Sequence, residues 1–181
     1  MSRARGRQRG FTLIELMVAV AVMGIIVAIA IPIFTGTTRK AKGEAEVKTY
    51  FQDLRTRMEE YQQQRGVYPP SLGEDAFHPA EPTARRQTIF PVPAAWTAIR
   101  LRPSGSTDVY CGYTWATGLA GDAANVGALA SAAPPGGFGF SAPATSWYYL
   151  MARCNLDGAP GYSYYFTDST DLSIRTLDEG S

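Results

Sequence analysis

The sequence has few of the residues from which metal sites and catalytic centres are built. Its 181 residues include one histidine and two cysteines, too few for a zinc ribbon or another nitrogen and sulfur site with several ligands. Charged residues make up only 18% of the chain and the formal net charge is +1, which argues against a nucleic-acid binder that relies on a broad basic field. The length is that of one ordinary domain.

The charge is unevenly distributed, and one long segment carries almost none. Residues 1–10 hold four arginines and no acid, whereas residues 11–34 are apolar except for Thr12 and one acid, Glu15. As a helix, these 24 residues span roughly 36 Å, enough for the ~30 Å hydrocarbon core of a bilayer. Because every face is apolar, the pattern predicts a membrane span rather than an amphipathic core helix. It is also longer than the apolar region of an ordinary cleaved secretory signal.

The arginines before the span predict its orientation: residues 1–10 stay cytoplasmic and the chain after Phe34 lies outside. Glu15 does not fit a simple anchor, because an ionisable group within a bilayer is costly. From the residues alone, two interpretations are open. Glu15 either reaches the headgroups of the bilayer or receives a positive partner, such as the terminal amine of a neighbouring subunit.

The segment Arg9-Gly10-Phe11-Thr12-Leu13-Ile14-Glu15, between a short basic leader and about twenty apolar residues, resembles the class III signal of type IV prepilins and pseudopilins. The resemblance implies cleavage after Gly10 by the prepilin peptidase and N-methylation of Phe11. It gives Glu15 the role of pairing with the amino terminus of the adjoining subunit during assembly. The positions of Gly24 and Pro32 resemble family members whose helix loosens between them in the filament.

Beyond the span, a second helical pattern leads into a region rich in predicted strands. Residues 35–65 predict an amphipathic continuation of the helix, with an apolar stripe at Val47, Phe51, Leu54, Met58 and Tyr61 beside Tyr50. Residues 66–181 predict a β-rich head. Its candidate strands are Ala95–Leu101, Val109–Thr117, Ser146–Cys154, Tyr162–Thr167 and Leu172–Leu177. We therefore expect an α+β pilin fold, in which the long helix packs on an antiparallel sheet of four or five strands.

Two long segments of the head contain no predicted strand. Residues 71–94 have no clear period and predict a long connecting loop. Residues 118–145 consist mostly of Gly, Ala, Ser and Pro and predict a small-residue surface loop, with an adhesive insertion as the alternative.

The head contains one candidate disulfide. Cys111 and Cys154 fall in two predicted strands of a region facing an oxidising compartment, which predicts a disulfide. Two independent buried thiols are the alternative.

Signals for chemistry are weak. His78 is alone and predicts a surface histidine. Asp168 and Asp171 are spaced as in a calcium loop, but no glycine or distal glutamate completes the pattern. The aromatic clusters at 147–149 and 162–166 alternate as strands do, so half of each should face the core. We expect no enzyme activity, no cofactor and no metal.

We therefore expect a structural subunit of a type IV pilus, similar to a minor pilin. It would pass from the inner membrane into a surface filament that serves assembly, motility or adhesion. Its expected partners are other pilin subunits, the prepilin peptidase, the inner membrane and the pilus assembly platform, with a periplasmic or extracellular head. One alternative is a type II secretion pseudopilin. Another is a tip adhesin or DNA-uptake receptor, for which Arg85-Arg86 and Arg100-Arg102 are the candidate contacts. DNA binding is not expected.

Overall fold

A computed structural model describes residues 11–101 and 107–178, with residues 32–36 and 178 described by their backbone only. The chain forms two compact units, one ending at Thr38 and the other beginning at Arg39. The first helix, α1, runs from Leu13 to Arg65. It ends at Gly66, whose φ of +76° is the left-handed conformation that commonly terminates helices.

The second unit is built on an antiparallel sheet in which each strand pairs with the next along the chain. Its strands are β3 (Cys111–Gly118), β4 (Trp147–Cys154), β5 (Ser163–Asp168) and β6 (Arg175–Asp178). The architecture is therefore α+β and pilin-like, as the sequence predicted. A separate two-stranded sheet pairs β1 (Gln87–Thr88) with β2 (Asp108–Val109), so the predicted strand Val109–Thr117 is divided between two sheets.

The apolar stripe of α1 packs on one face of the four-stranded sheet. Leu54 and Met58 are fully buried, and they share a cluster with residues from alternate positions of the strands. Tyr50 stacks on Tyr113 with ring centroids 4.4 Å apart. The helix also approaches the chain after β4 closely, because a Cβ at Gly43 would lie 2.6 Å from the Leu156 side chain. The stripe predicted from the sequence is thus the face that packs against the head.

The opposite face of the sheet is covered as well, which the sequence did not predict. Residues 118–145 were expected to be a surface loop, but they contain a short helix, α3 (Ala128–Ser131), and two buried rings, Phe138 and Phe140. Phe138 stacks on Phe166 with centroids 4.8 Å apart. Because side chains alternate along a strand, each aromatic cluster has buried rings on both faces of the sheet: Tyr148 and Tyr165 lie in the core against α1, and Trp147, Tyr149 and Phe166 lie in the core against this segment. Tyr162 and Tyr164 are half-buried.

One predicted strand is a helix. Residues 95–101 were assigned to a strand, but Ala94–Ala98 form α2, which begins after Pro93. Trp96 and Ile99 are buried together at the three-residue spacing of a helix face. The alanines in this segment favour helix over strand. The last predicted strand, Leu172–Leu177, begins only at Arg175, because residues 168–173 form a hydrogen-bonded turn.

Candidate functional site

The beginning of α1 is closed by a reciprocal pair of hydrogen bonds between Thr12 and Glu15. The Glu15 backbone N–H donates to Thr12 Oγ1 at 3.3 Å, and the Thr12 N–H donates to Glu15 Oε2 at 3.4 Å. The Thr12 hydroxyl donates to the same Oε2, also at 3.4 Å. This is a capping box, in which Thr and a Glu three residues later satisfy each other's exposed amides.

The capping box uses only one of the two carboxylate oxygens. Within residues 11–101 and 107–178, no hydrogen bond or ion pair engages Glu15 Oε1. Glu15 is exposed, so this oxygen can accept a hydrogen bond or a cation from another molecule. Glu15 therefore caps its own helix and keeps one oxygen available, which is compatible both with contact to the headgroups and with pairing to a positive partner.

Phe11 precedes the helix, and its side chain is 81% exposed. Gly10, the other residue of the predicted cleavage bond, lies outside the described residues, as does the whole predicted leader. The cleavage and methylation assigned to Gly10 and Phe11 remain predictions.

The helix that follows has no apolar partner within its own unit. Leu13–Ile31 is the one helix, among the described residues, that is long and apolar enough to cross a membrane, and none of that window is buried. Its large side chains, such as Ile14 and Ile25, are more than half exposed. Because exposed apolar area of this extent is unfavourable in water, the segment requires a membrane or other apolar helices around it.

The two residues predicted to loosen this helix lie within its bounds. At Gly24, an added Cβ would meet no atom within 4 Å, so no contact inside the chain requires a glycine there. Pro32 is also within the helix bounds, and its side chain is not described. Loosening in a filament stays a prediction for Gly24 and Pro32.

In the second unit, Cys111 and Cys154 form a disulfide. The two residues are directly paired across β3 and β4, with Cα atoms 4.4 Å apart, the close spacing of a non-hydrogen-bonded antiparallel pair. Both cysteines are buried and belong to the same core cluster as Val47 and Leu156. The disulfide predicted from the cysteine count therefore closes the end of the sheet that faces the start of the amphipathic helix stripe.

Glu46 accepts hydrogen bonds from this end of the sheet, a role that the sequence analysis did not predict. Its carboxylate accepts hydrogen bonds from the Tyr110 N–H at 2.9 Å, the Cys111 N–H at 3.2 Å and the Tyr113 hydroxyl at 3.0 Å. Burial raises the pKa of the Glu46 carboxyl, against the lowering effect of these hydrogen bonds and of Arg86. The signal that could have identified it is its position beside the apolar stripe, four residues before Tyr50.

Glu74 has a similar role on the other face of the sheet. Its carboxylate accepts the backbone N–H of Leu129 at 2.6 Å and that of Ala130 at 3.3 Å. These bonds tie the segment 71–94 to the segment that covers the sheet. No local pattern in the sequence indicated this contact, which joins residues 55 positions apart.

The remaining candidates for chemistry are engaged in structure. His78 is half-buried rather than on the surface: its Nε2 lies 2.8 Å from the Ile89 carbonyl oxygen and its ring packs edge-on to Trp96. The Asp168 carboxylate accepts the N–H groups of Thr170 and Asp171, each at 2.8 Å, and pairs with Arg175. Within the described part of the chain, no group of three or more His, Cys, Asp or Glu could hold a metal ion.

Of the arginines proposed for DNA contact, the three that the structure describes are all exposed: Arg85, Arg86 and Arg100. Arg86 lies 3.7 Å from the Glu46 carboxylate and over the Tyr110 ring. Arg85 is exposed next to it, and Arg100 is at the end of α2 with a φ of +53°. Arg102 lies outside the described residues.

Comparison with known proteins places the strongest signal in the same N-terminal segment. Residues 5–31 match the family described as "Prokaryotic N-terminal methylation motif". The type IV major pilin protein PilA of Myxococcus xanthus (strain DK1622) is 40% identical over 79 residues, which are 44% of this chain and 36% of that protein. The type IV major pilin protein PilE1 of Neisseria gonorrhoeae is 33% identical over 73 residues, 40% of this chain and 34% of that one.

A shorter match is the fimbrial protein EcpB of Eikenella corrodens, 50% identical over 36 residues, which are 20% of this chain and 23% of that protein. The chain thus spans about a third of the length of the major pilins that it matches. No solved structure matches the chain.

Proposed function

The chain is a member of the type IV pilin family, and on that premise we propose that it is a structural, non-enzymatic subunit of a type IV pilus. The observation that carries the proposal is the methylation motif at residues 5–31, joined to a helix whose apolar side chains have no partner in their own unit. Such a helix fits first a bilayer and then a bundle of similar helices. Its partners in this proposal are other pilin subunits, the inner membrane, the prepilin peptidase and the assembly platform.

Processing is the first step of the proposed function. The peptidase cleaves after Gly10 on the cytoplasmic face, and the new first residue, Phe11, is methylated. The position of Phe11 before the helix start, with an exposed side chain, supports access to the amine. Cleavage removes the four arginines of the leader, whose role is to orient the span. The head then faces the periplasm and, after assembly, the cell surface.

Assembly is the second step. A positive amine at Phe11 of one subunit pairs with Glu15 of its neighbour, because two opposite charges in an apolar surrounding are less costly together than apart. Within the described residues Oε1 of Glu15 has no partner, because the capping box occupies Oε2 alone, and this oxygen supports the pairing role. Loosening of the helix between Gly24 and Pro32 would let the packed subunit adjust its length.

The experiment compares two substitutions of Glu15 in the organism's own filaments. Glu15→Ala removes the cap and the charge, whereas Glu15→Gln removes the charge and keeps an acceptor suited to a capping box. We expect both variants to be cleaved normally and both to be poorly incorporated into filaments, as measured by immunoblotting of sheared filaments against membranes. Normal incorporation of Glu15→Gln would show that the charge is dispensable and would refute the pairing role.

The subunit class is part of the proposal and is tested separately. The two relatives described above as major pilins have that word in their names, whereas we propose a minor-pilin-like subunit, which would form only a small share of purified filaments. Deletion with two readouts, surface pili and secreted proteins, separates a pilin from a type II secretion pseudopilin. Loss of secretion alone would assign the chain to the pseudopilins.

A further inference from the structure

A groove of about 310 Å³ lies on the second unit, between the end of α1 and the last residues of β3. Its lining includes a tyrosine of α1, residues that follow the helix and the loop after β3: Tyr61, Val67, Tyr68, Pro70, Leu119 and Asp122. A cavity of about 150 Å³ is enough to hold one benzene ring, so this groove has room for an aromatic side chain and a neighbouring residue.

The groove concentrates exposed apolar surface. Among the described residues of the second unit, four large hydrophobic side chains are strongly exposed: Val67, Phe90, Leu119 and Leu172. Val67 is 47% exposed and Leu119 is 61% exposed, and both line the groove. Apolar side chains that cluster on a surface and have polar residues around them are typical of an interaction site.

Phe90 is the one aromatic residue of that exposed set. Its side chain is 55% exposed, while its backbone N–H donates to the Thr88 hydroxyl at 3.3 Å and the preceding residue, Ile89, is fully buried. Pro91 follows and is also exposed. Phe90 and Pro91, called the knob below, therefore present an exposed apolar pair on an anchored backbone, and exposed aromatic side chains are common anchors of protein interfaces.

The knob and the groove are different surfaces of the same unit. Phe90 follows β1, which pairs with β2 shortly before β3 begins at Cys111, whereas Thr117 and Gly118 of the groove are at the end of β3. Phe90 does not line the groove, so a copy does not fill its own groove with its own knob. When one surface fits a different surface of the next copy, the contact is head-to-tail, and such contacts build open filaments unless they close into a ring.

Charges beside the two surfaces also favour this pairing. At the groove, Asp122 is exposed and its Oδ1 accepts one backbone N–H at 2.9 Å, and Glu59 accepts a tyrosine hydroxyl of the lining at 3.3 Å. A cation at this end, Arg65, is stacked on a tyrosine ring of the lining. Arg85 is exposed on the knob side, five residues before Phe90. An acidic edge on one surface and an arginine beside the other attract each other.

We propose that the groove binds the knob of a second copy of this chain, with Arg85 of one copy close to Asp122 of the other. The Phe90 ring is the anchor and packs against Val67 and Leu119. The inference rests on the proposed role as a filament subunit and names a contact between its heads. It requires only two successive copies, so a subunit that forms a small share of the filament can make it.

The test places the photoreactive residue p-benzoylphenylalanine at position 90 of the processed full-length chain, which keeps an aromatic side chain there. A tagged copy of this variant in mild detergent is mixed with an excess of untagged native chain and irradiated, and the crosslinked peptides are identified by mass spectrometry. We expect capture of the second copy within residues 61–71 or 117–125, with a yield that rises with chain concentration. Capture at other surfaces, or no capture, would overturn the proposal.

Substitutions in one copy at a time test the direction of the contact. Leu119→Asp in the untagged copy introduces a charge into the groove and should lower capture by about tenfold. The same substitution in the tagged copy, which supplies only the knob, should leave capture unchanged. Equal loss in both arrangements would mean that like surfaces pair and would overturn the head-to-tail contact. Leu172→Asp changes a matched exposed leucine outside the groove and should leave capture unchanged in both copies.

The same photoreactive variant in sheared filaments tests the identity of the occupant. Capture there of a different pilin, with no capture of a second copy, would overturn the choice of partner. The detergent assay needs no filament, so its failure leaves the result for Glu15 unaffected. Conversely, a Glu15→Gln chain that does not enter filaments can still be tested for capture in detergent.

Discussion

Two stretches of the same helix place their apolar side chains in opposite environments. In Leu13–Ile31 the apolar residues lie on every face and are exposed, whereas those between Val47 and Met58 lie on one face and are buried. Ile25, for example, is 63% exposed and Leu54 is 0% exposed. Among the described residues, the first stretch has no apolar partner in its own unit, and the second finds its partner in the sheet of its own unit.

The two stretches of α1 are stabilised in different ways. Burial against the sheet stabilises the second stretch by the hydrophobic effect, at roughly 25 cal/mol for each Å² removed from water. The first stretch gains this hydrophobic free energy only when lipid or neighbouring helices cover it. Its surroundings can therefore change while the segment stays helical. Substitutions should therefore affect folding in one stretch and membrane or filament behaviour in the other.

The largest expected effect concerns the head alone. Replacement of both Cys111 and Cys154 by alanine opens a loop of about 44 residues, which the chain-entropy model values at about 4 kcal/mol. Denaturant unfolding of the full chain in detergent, followed by tryptophan fluorescence, should show this loss, because all three tryptophans lie in residues 66–181. Reductant should lower the stability of the native chain similarly and leave the double variant unchanged. Equal unfolding curves for native and double variant would contradict the role of the disulfide.

The most direct test of the comparison uses two alanine substitutions in α1. Leu54→Ala should lower the unfolding free energy of the head by about 3 kcal/mol, because it leaves a cavity in a closed core. Ile25→Ala removes a similar side chain from an exposed position and should change the same measurement by less than about 0.5 kcal/mol. A comparable loss in both variants would mean that the apolar segment is packed on the head.

A smaller loss of unfolding free energy is expected from a substitution on the face of the sheet that is turned away from α1. Glu74→Ala should cost about 1–2 kcal/mol, since two backbone N–H groups of α3 lose their acceptor. Hydrogen exchange should increase at Leu129 and Ala130 before it increases in β3 or β4. Asp75→Ala, an exposed neighbour, is the matched control and should leave exchange unchanged. Uniform protection in Glu74→Ala would contradict this role.

The smallest expected effect is a pH dependence at Glu46. Because burial raises its pKa in the folded head, the folded state binds the proton more tightly than the unfolded state. This contribution to stability is full below the ordinary glutamate pKa and is lost as pH rises through the raised pKa. Thermal unfolding of native and Glu46→Gln chains across this range measures the component, which should be absent in the variant. Glu44→Gln, two residues away, should keep the native pH profile.

Local sequence patterns correctly predicted the elements in which the spacing of apolar residues matches the period of a helix or a strand. The apolar run at residues 11–34 and the stripe at Val47, Phe51 and Leu54 were both readable, because a helix repeats every 3.6 residues and burial follows that period. Strands β4 and β5 were predicted to within one residue at each end, since their aromatic and β-branched residues favour extended chain. The disulfide was predicted from the number of cysteines, from their positions in two predicted strands and from the oxidising compartment.

The errors occurred where burial came from distant segments. Trp96 was assigned to a strand because α2 has only five residues, and so short a segment does not show the periodicity of a helix. Residues 118–145 were assigned to the surface because small residues dominate them. Phe138 and Phe140 of this segment contribute to the cover of the sheet, and only the packed structure shows the rings that they contact.

By itself, the sequence determined the membrane-length helix, the methylation motif with Glu15, the amphipathic stripe and the cysteine pair. Each of these features can be recognised from residues close together in the chain or from the number of residues of one type. Only the tertiary structure decided that both faces of the sheet are covered and that Glu46 and Glu74 serve as internal acceptors. It also decided that Tyr61, Val67 and Leu119 share one groove. These features join residues tens of positions apart, and such contacts depend on how the whole chain packs.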